Sequence, residues 1–159
     1  MSTTAELVVA ALALRGATVA TCESLTGGLV GAAITSVPGA STVYRGGLIT
    51  YATDLKAALA GVDPALLEHR GPVDGDVARQ MAEGVRRRCG ADWGVSTTGV
   101  AGPEPLGGAS AGTVWIGIAG PDAGDGRSVL LSLDGDRAAI REASVDAALD
   151  LLLAGVRRE

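Results

Sequence analysis

The 159-residue chain has no phenylalanine, a single lysine, a single histidine, two cysteines, and only two tryptophans and two tyrosines. Without phenylalanine, the core has to be built from small aliphatic side chains. Cys22 and Cys89 are far apart, so they make neither a disulfide framework nor metal-ligand spacing, and both are expected to be buried thiols. With one histidine and no His/Cys cluster, nothing is placed to hold a catalytic zinc, and no metal or cofactor is expected. That histidine, His69, lies in Leu66-Leu67-Glu68-His69-Arg70 before Gly71-Pro72, where nothing suggests an orienting carboxylate pocket, which argues against a Ser-His-Asp triad. The chain contains no run of the roughly 18 apolar residues that a membrane span needs. Its first residues carry Glu6 and no basic leader, which predicts a cytoplasmic protein. A net charge of −5 is the wrong sign for coating a phosphate backbone, so nucleic acid is not an expected partner.

What the chain does have is 47% hydrophobic residues and 24 glycines, enough to bury one continuous core. One domain over 1–159 is expected. Leu7, Val8, Ala11, Leu12 and Leu14 recur at helical spacing, with Thr3 and Glu6 at capping-box separation and Gly16 as a stop. A strand is predicted over 17–22, a small-residue helix over 27–37, a strand over 47–51 and a helix over 53–61. A short helical piece over 63–69 follows, then a long helix capped by Asp74 and running to Cys89. Strands over 93–97, 113–119 and 128–133 and a last helix over 138–157 complete the pattern. Strands interleaved with helices predict a three-layer α/β/α sandwich, and the direct hairpin over 113–133 makes its central sheet mixed but mostly parallel.

Ligands of open α/β sheets bind beyond the carboxyl ends of the strands. The first such end carries Glu23-Ser24-Leu25-Thr26-Gly27-Gly28. A serine at a strand-to-helix turn faces free backbone N–H groups that can hold an oxyanion or a phosphate, and it can equally be a helix cap. Lys56 follows the second strand. Twelve arginines supply every other basic side chain, so the one lysine stands where a side chain able to lose its proton is kept. Burial at a helix N-terminus would lower its pKa and make it a base for a hydroxyl; a surface lysine that has not drifted to arginine is the competing reading. Tyr51 can relay that proton or simply be a strand aromatic. After the third strand, Thr97, Thr98 and Gly99 lead into a Gly/Pro-rich loop suited to close approach of a phosphate or sugar, or to a tight turn alone. Neither a P-loop nor Gly-x-Gly-x-x-Gly is present. Arg45 and Arg137 sit at element boundaries where each can clamp an anion.

Taken in order, Cys22-Glu23-Ser24-Leu25-Thr26-Gly27-Gly28, Gly47-Leu48-Ile49-Thr50-Tyr51 with Lys56, Thr98-Gly99-Val100-Ala101-Gly102-Pro103, Gly112-Thr113-Val114-Trp115 and Gly135-Asp136-Arg137 resemble the CinA C-terminal domain family, also called PncC, over nearly the whole chain. The resemblance implies hydrolysis of the carboxamide of nicotinamide mononucleotide to nicotinic acid mononucleotide and ammonia, with Ser24, Tyr51 and Lys56 as the catalytic residues. The nucleotide would be met by Thr26, Gly27, Gly28, Arg45, Thr97, Thr98, Gly99 and Arg137. Larger family members add an N-terminal domain similar to molybdopterin-binding proteins, and this chain looks like the stand-alone form. A homo-oligomer is expected from the apolar-rich composition. The chain departs from the family pattern at Cys22 and Leu25, at Asp74, where a serine is usual, and at Ala109-Ser110-Ala111, where a Lys-Pro pair is usual. A nucleotide-binding module without turnover and a serine-lysine amidase for another small amide are the alternative functions.

Overall fold

In the computed structural model, which describes residues 1–158, helix α1 (Thr4–Arg15) precedes strand β1 (Val19–Glu23) and helix α2 (Leu29–Thr35). A 3-10 turn (Ala40–Thr42) leads into β2 (Tyr44–Ile49), followed by α3 (Thr53–Ala58), α4 (Pro64–Arg70) and α5 (Gly75–Cys89). Then come β3 (Trp93–Gly99), β4 (Thr113–Ala119), β5 (Arg127–Ser132) and α6 (Arg137–Arg157). The five strands form one sheet in the order β2-β1-β3-β4-β5. β1 pairs in parallel with β2 and β3, whereas β3 with β4 and β4 with β5 are antiparallel. Only β4 therefore runs against the rest, and the sheet is mixed with mostly parallel strands, as the alternation of elements predicts.

Two hydrophobic clusters flank the sheet. On one face Val8 and Leu12 of α1, Ile34 of α2 and Leu149 and Leu152 of α6 pack against Val95, Ile116 and Ile118. On the other, Val77, Met81 and Val85 of α5 pack against Ala20 and Cys22, with Leu66 and Leu67 of α4 at the margin. This gives the α/β/α layering. The close seat of α5 depends on missing side chains: a Cβ at Gly117 of β4 would collide with the Ala78 carbonyl, and one at Gly94 of β3 with the Ala82 carbonyl. Small residues here replace the aromatic filling that the composition lacks.

Element boundaries follow local chemistry. The Thr3/Glu6 capping box opens α1, and Gly16 closes it in the left-handed conformation. Asp74 caps α5 by accepting from Asp76 N–H and Val77 N–H. α2 starts at Leu29 rather than near residue 27, because Gly27 and Gly28 hold φ of 58° and 107° and cannot belong to a right-handed helix. β2 occupies 44–49 instead of 47–51, which leaves Thr50 and Tyr51 beyond the strand end, beside Ser24. α6 begins one residue earlier than expected, with Asp136 as its cap. Among the described residues no helix is long and apolar enough to cross a membrane.

Candidate active site

The register places Glu23 beside Ile49 on one flank and Thr97 on the other, so β1, β2 and β3 deliver their carboxyl ends to one spot. Ser24 is the first residue past β1. Its N–H donates to the Thr97 carbonyl at 3.0 Å, and only 7% of the residue is exposed. The turn behind it is organised by Glu23, a carboxylate buried to 1% exposure. Glu23 Oε2 accepts from Thr26 Oγ1 (2.7 Å), Gly28 N–H (3.0 Å) and Val30 N–H (3.0 Å), and Oε1 accepts from Gly31 N–H (2.8 Å). An internal anion thus occupies the N-terminal end of α2, satisfying amides that an external phosphate would otherwise attract. The Gly27 N–H is also taken, by the Ser24 carbonyl at 3.0 Å. Of the turn amides from 25 to 28, only those of Leu25 and Thr26 donate to no group among the described residues.

Lys56 enters from α3. Its Nζ lies 3.1 Å from Ser24 Oγ and donates to the Thr50 carbonyl at 2.7 Å, and the residue is 1% exposed. Burial lowers its pKa from 10.5 to about 8, because removing the ammonium from water disfavours the charged form. The lysine is buried within reach of the serine, but it lies in the last turn of the short α3 and not at a helix N-terminus, so desolvation and not the expected dipole lowers its pKa. Cys22 lies under this corner with its thiol 3.5 Å from Thr50 Oγ1; burial pushes its pKa up to about 11, so it stays neutral beside the amine.

Tyr51 is placed differently from a proton relay. It is 61% exposed, and its hydroxyl accepts from Arg137 Nη2 at 3.0 Å, with no hydrogen bond to Ser24 or Lys56. Arg137 Nη1 donates to the Gly102 carbonyl at 2.8 Å. Ser24, Leu25, Tyr51 and Arg137 line a cleft of about 410 Å³ together with the loop from Gly99 to Leu106, which includes Glu104. That volume suits a mononucleotide-sized ligand.

Several residues expected to touch a ligand are engaged in the scaffold instead. Thr26 and Thr97 are buried with hydroxyls 2.8 Å apart, and Thr98 Oγ1 donates to the Pro72 carbonyl at 2.6 Å, so none of the three is free to meet a phosphate. Gly28 spends its N–H on Glu23. Gly27, at the back of the turn, has Arg141 beside it, while Gly99 does line the cleft. Arg45 is not in the site. It sits near the amino end of β2, whereas the cleft lies past the carboxyl ends, and its Nε donates to the Cys89 carbonyl at 2.9 Å. Two residues escape the sequence reading. Glu23 stands inside the motif, but its role depends on the chain turning back over it. Arg141, one helical turn after Arg137, reaches the turn from 116 residues away, donating from Nε to the Leu25 carbonyl at 2.9 Å. Its spacing from Arg137 on α6 is the one signal that could have exposed it.

The model of the CinA C-terminal domain family matches residues 1–156. The chain belongs to that family. A CinA-like protein of Frankia casuarinae is 50% identical over 153 residues, covering 94% of this chain and 35% of that protein. A CinA-like protein of Gloeobacter violaceus is 46% identical over 148 residues, covering 90% and 34% respectively. The chain therefore spans about a third of the length of these relatives. Among solved structures, a CinA superfamily protein from Klebsiella pneumoniae superposes with a TM-score of 0.91 at 29% identity, covering 99% of this chain and 100% of that one. The competence/damage inducible protein CihA from Agrobacterium tumefaciens gives 0.87 at 32% identity, with 98% and 99% covered.

Proposed function

We propose that this CinA-family domain is a serine-lysine amidohydrolase that hydrolyses the carboxamide of nicotinamide mononucleotide. The observation that carries the reading is the 3.1 Å approach of Lys56 Nζ to Ser24 Oγ, with the amine buried and its pKa lowered to about 8. Neutral Lys56 uses one N–H to hold the Thr50 carbonyl, which leaves its lone pair for the Ser24 proton. Ser24 Oγ then attacks the carboxamide carbon, and the developing oxyanion is met by the unengaged N–H groups of Leu25 and Thr26. Protonated Lys56 returns its proton to the departing nitrogen, the C–N bond breaks, and ammonia leaves an ester on Ser24. Water, deprotonated by the same amine, attacks that ester and releases nicotinic acid mononucleotide and free Ser24.

The cleft carries one guanidinium, Arg137, and one carboxylate, Glu104. That pairing suits a ligand with an anionic phosphate at one end and a cationic pyridinium at the other. Arg137 spends its hydrogen bonds on neutral acceptors only and has charge to spare for the phosphate. Tyr51 becomes a cleft wall that steadies Arg137, in place of the relay role.

A panel of small amides with an ammonia readout tests the reading. Fast release from nicotinamide mononucleotide that is lost in Ser24→Ala is expected. Tight binding without ammonia release would identify a binding module, and faster release from another amide would replace the substrate.

A further inference from the structure

The turn that follows the nucleophile has two buried amides, those of Leu25 and Thr26, that donate to no group among the described residues. The three carbonyls of residues 24 to 26 are all held by donors inside the protein. The Ser24 carbonyl accepts from Gly27 N–H at 3.0 Å. Arg141 Nε donates to the Leu25 carbonyl at 2.9 Å, and its Nη2 approaches the Thr26 carbonyl at 3.4 Å. The Thr26 carbonyl also accepts from Leu29 N–H at 3.0 Å. The only cis peptide bond described is Gly102-Pro103, so each peptide unit of the turn is trans, with its N–H opposite its C=O. Anchoring the Leu25 carbonyl on Arg141 therefore turns the Thr26 N–H away from the guanidinium. The Ser24 carbonyl is anchored on Gly27 N–H instead, so the direction of the Leu25 N–H is set within the turn and not by Arg141. Leu25, whose carbonyl Arg141 holds, borders the cleft beside Ser24, and the buried Thr26 follows directly behind it.

Arg141 is well suited to this task. It is half-buried on α6, it has no carboxylate within ion-pair distance among the described residues, and its fork meets two successive carbonyls. A guanidinium on a carbonyl oxygen also polarises the peptide, strengthening its N–H as a donor. It does not line the cleft, unlike Arg137 one turn earlier.

We infer that Arg141 is a positioning residue that holds the Thr26 amide as an oxyanion donor for Ser24, acting through the Leu25 carbonyl without touching the substrate. The inference rests on the proposed serine chemistry and deepens it.

The test uses Arg141→Gln and Arg141→Lys with two readouts. One is steady-state ammonia release from nicotinamide mononucleotide. The other is the rate at which diisopropyl fluorophosphate labels Ser24, followed by intact mass, which needs the nucleophile and the oxyanion donors but not the natural substrate. In Arg141→Gln, kcat and labelling should each fall about 100-fold, the scale of losing one oxyanion donor, while KM stays within about twofold. Arg141→Lys, which keeps the charge and one donor direction, should recover part of both and keep the wild-type melting temperature; if the glutamine variant does not fold, the lysine variant decides, with labelling slowed about tenfold. Labelling at the wild-type rate in the folded variant overturns the inference. So does a raised KM with kcat unchanged, which would make Arg141 a substrate contact. Wild-type protein that labels at Ser24 yet releases no ammonia overturns the substrate reading alone, because the labelling comparison still decides the role of Arg141. Wild-type protein that does not label at all overturns both.

Discussion

Lys56 Nζ and Ser24 Oγ meet at 3.1 Å in a corner where the lysine is 1% exposed, although the two residues are 32 positions apart in the chain. The amine has been taken out of water, and among the described residues no carboxylate pairs with it. Burial therefore favours the neutral form, which is the form a base needs.

The pH dependence follows directly. With a pKa of about 8, about a tenth of Lys56 is neutral at pH 7, and kcat/KM should climb with pH through about 8 and then level off. Lys56→Arg keeps a permanent charge at this place and should lower kcat by about 1,000-fold or more at every pH. A pH profile of ammonia release checks both. Survival of the arginine variant would remove lysine from the mechanism.

The same shift has a stability counterpart of opposite sense to that of a paired lysine. Between pH 8 and the unperturbed value of 10.5 the unfolded chain binds the Lys56 proton and the folded chain does not, so stability rises as pH increases across this window. Below it both states are protonated, and the folded protein carries the full cost of a buried ammonium. Urea midpoints of wild type minus those of Lys56→Met should increase from pH 7.5 to pH 10. A flat difference would mean that the amine is better solvated than its position implies.

Glu23 gives the third expectation. Its two oxygens accept four hydrogen bonds at the start of α2, and glutamine would turn an amide N–H toward at least one donor. Glu23→Gln should cost about 2 kcal/mol, the scale of a buried unsatisfied group. Urea unfolding measures it. A variant as stable as wild type would show that α2 does not depend on this carboxylate.

These residues also mark how far the sequence alone could reach. Strand and helix order is legible because apolar periodicity and caps such as Thr3 and Asp74 are local signals, and the lone Lys56 stood out against twelve arginines. Hydroxyl side chains were harder to place. Thr26, Thr97 and Thr98 look like phosphate ligands in a one-dimensional motif, yet folding pairs each with another protein group across 71 or 26 residues. Arg45 misleads for a related reason: a position at an element boundary does not say which end of the sheet it occupies. Roles that depend on long-range approach, as for Arg141 and Glu23, have almost no local signature.

Packing supplies a prediction independent of function. A Cβ at Gly117 would collide with the Ala78 carbonyl and come within 2.5 Å of Ser96 Oγ, so α5 would have to lift off the sheet. Gly117→Ala should destabilise by about 3 kcal/mol, at the upper end of ordinary overpacking, because the obstacle is backbone and not a flexible side chain. Denaturant unfolding at constant slope checks it, and a loss under 1 kcal/mol would mean that the helix slides easily.

Arg137 separates binding of the phosphate from chemistry at the amide. Its guanidinium is fixed by the Tyr51 hydroxyl at 3.0 Å and the Gly102 carbonyl at 2.8 Å, both neutral, and it makes no ion pair among the described residues. A charge-assisted hydrogen bond contributes about 1.5–3 kcal/mol, or about 10- to 100-fold in affinity. Arg137→Met should raise KM for nicotinamide mononucleotide by that factor with kcat little changed. Nicotinamide riboside, which has the same amide and no phosphate, should be hydrolysed by wild type and variant with the same KM. Tyr51→Phe, which frees one side of the guanidinium, should shift KM in the same direction by a smaller factor. An equal loss on both substrates, or a loss confined to kcat, would place Arg137 at the reacting amide instead of at the phosphate.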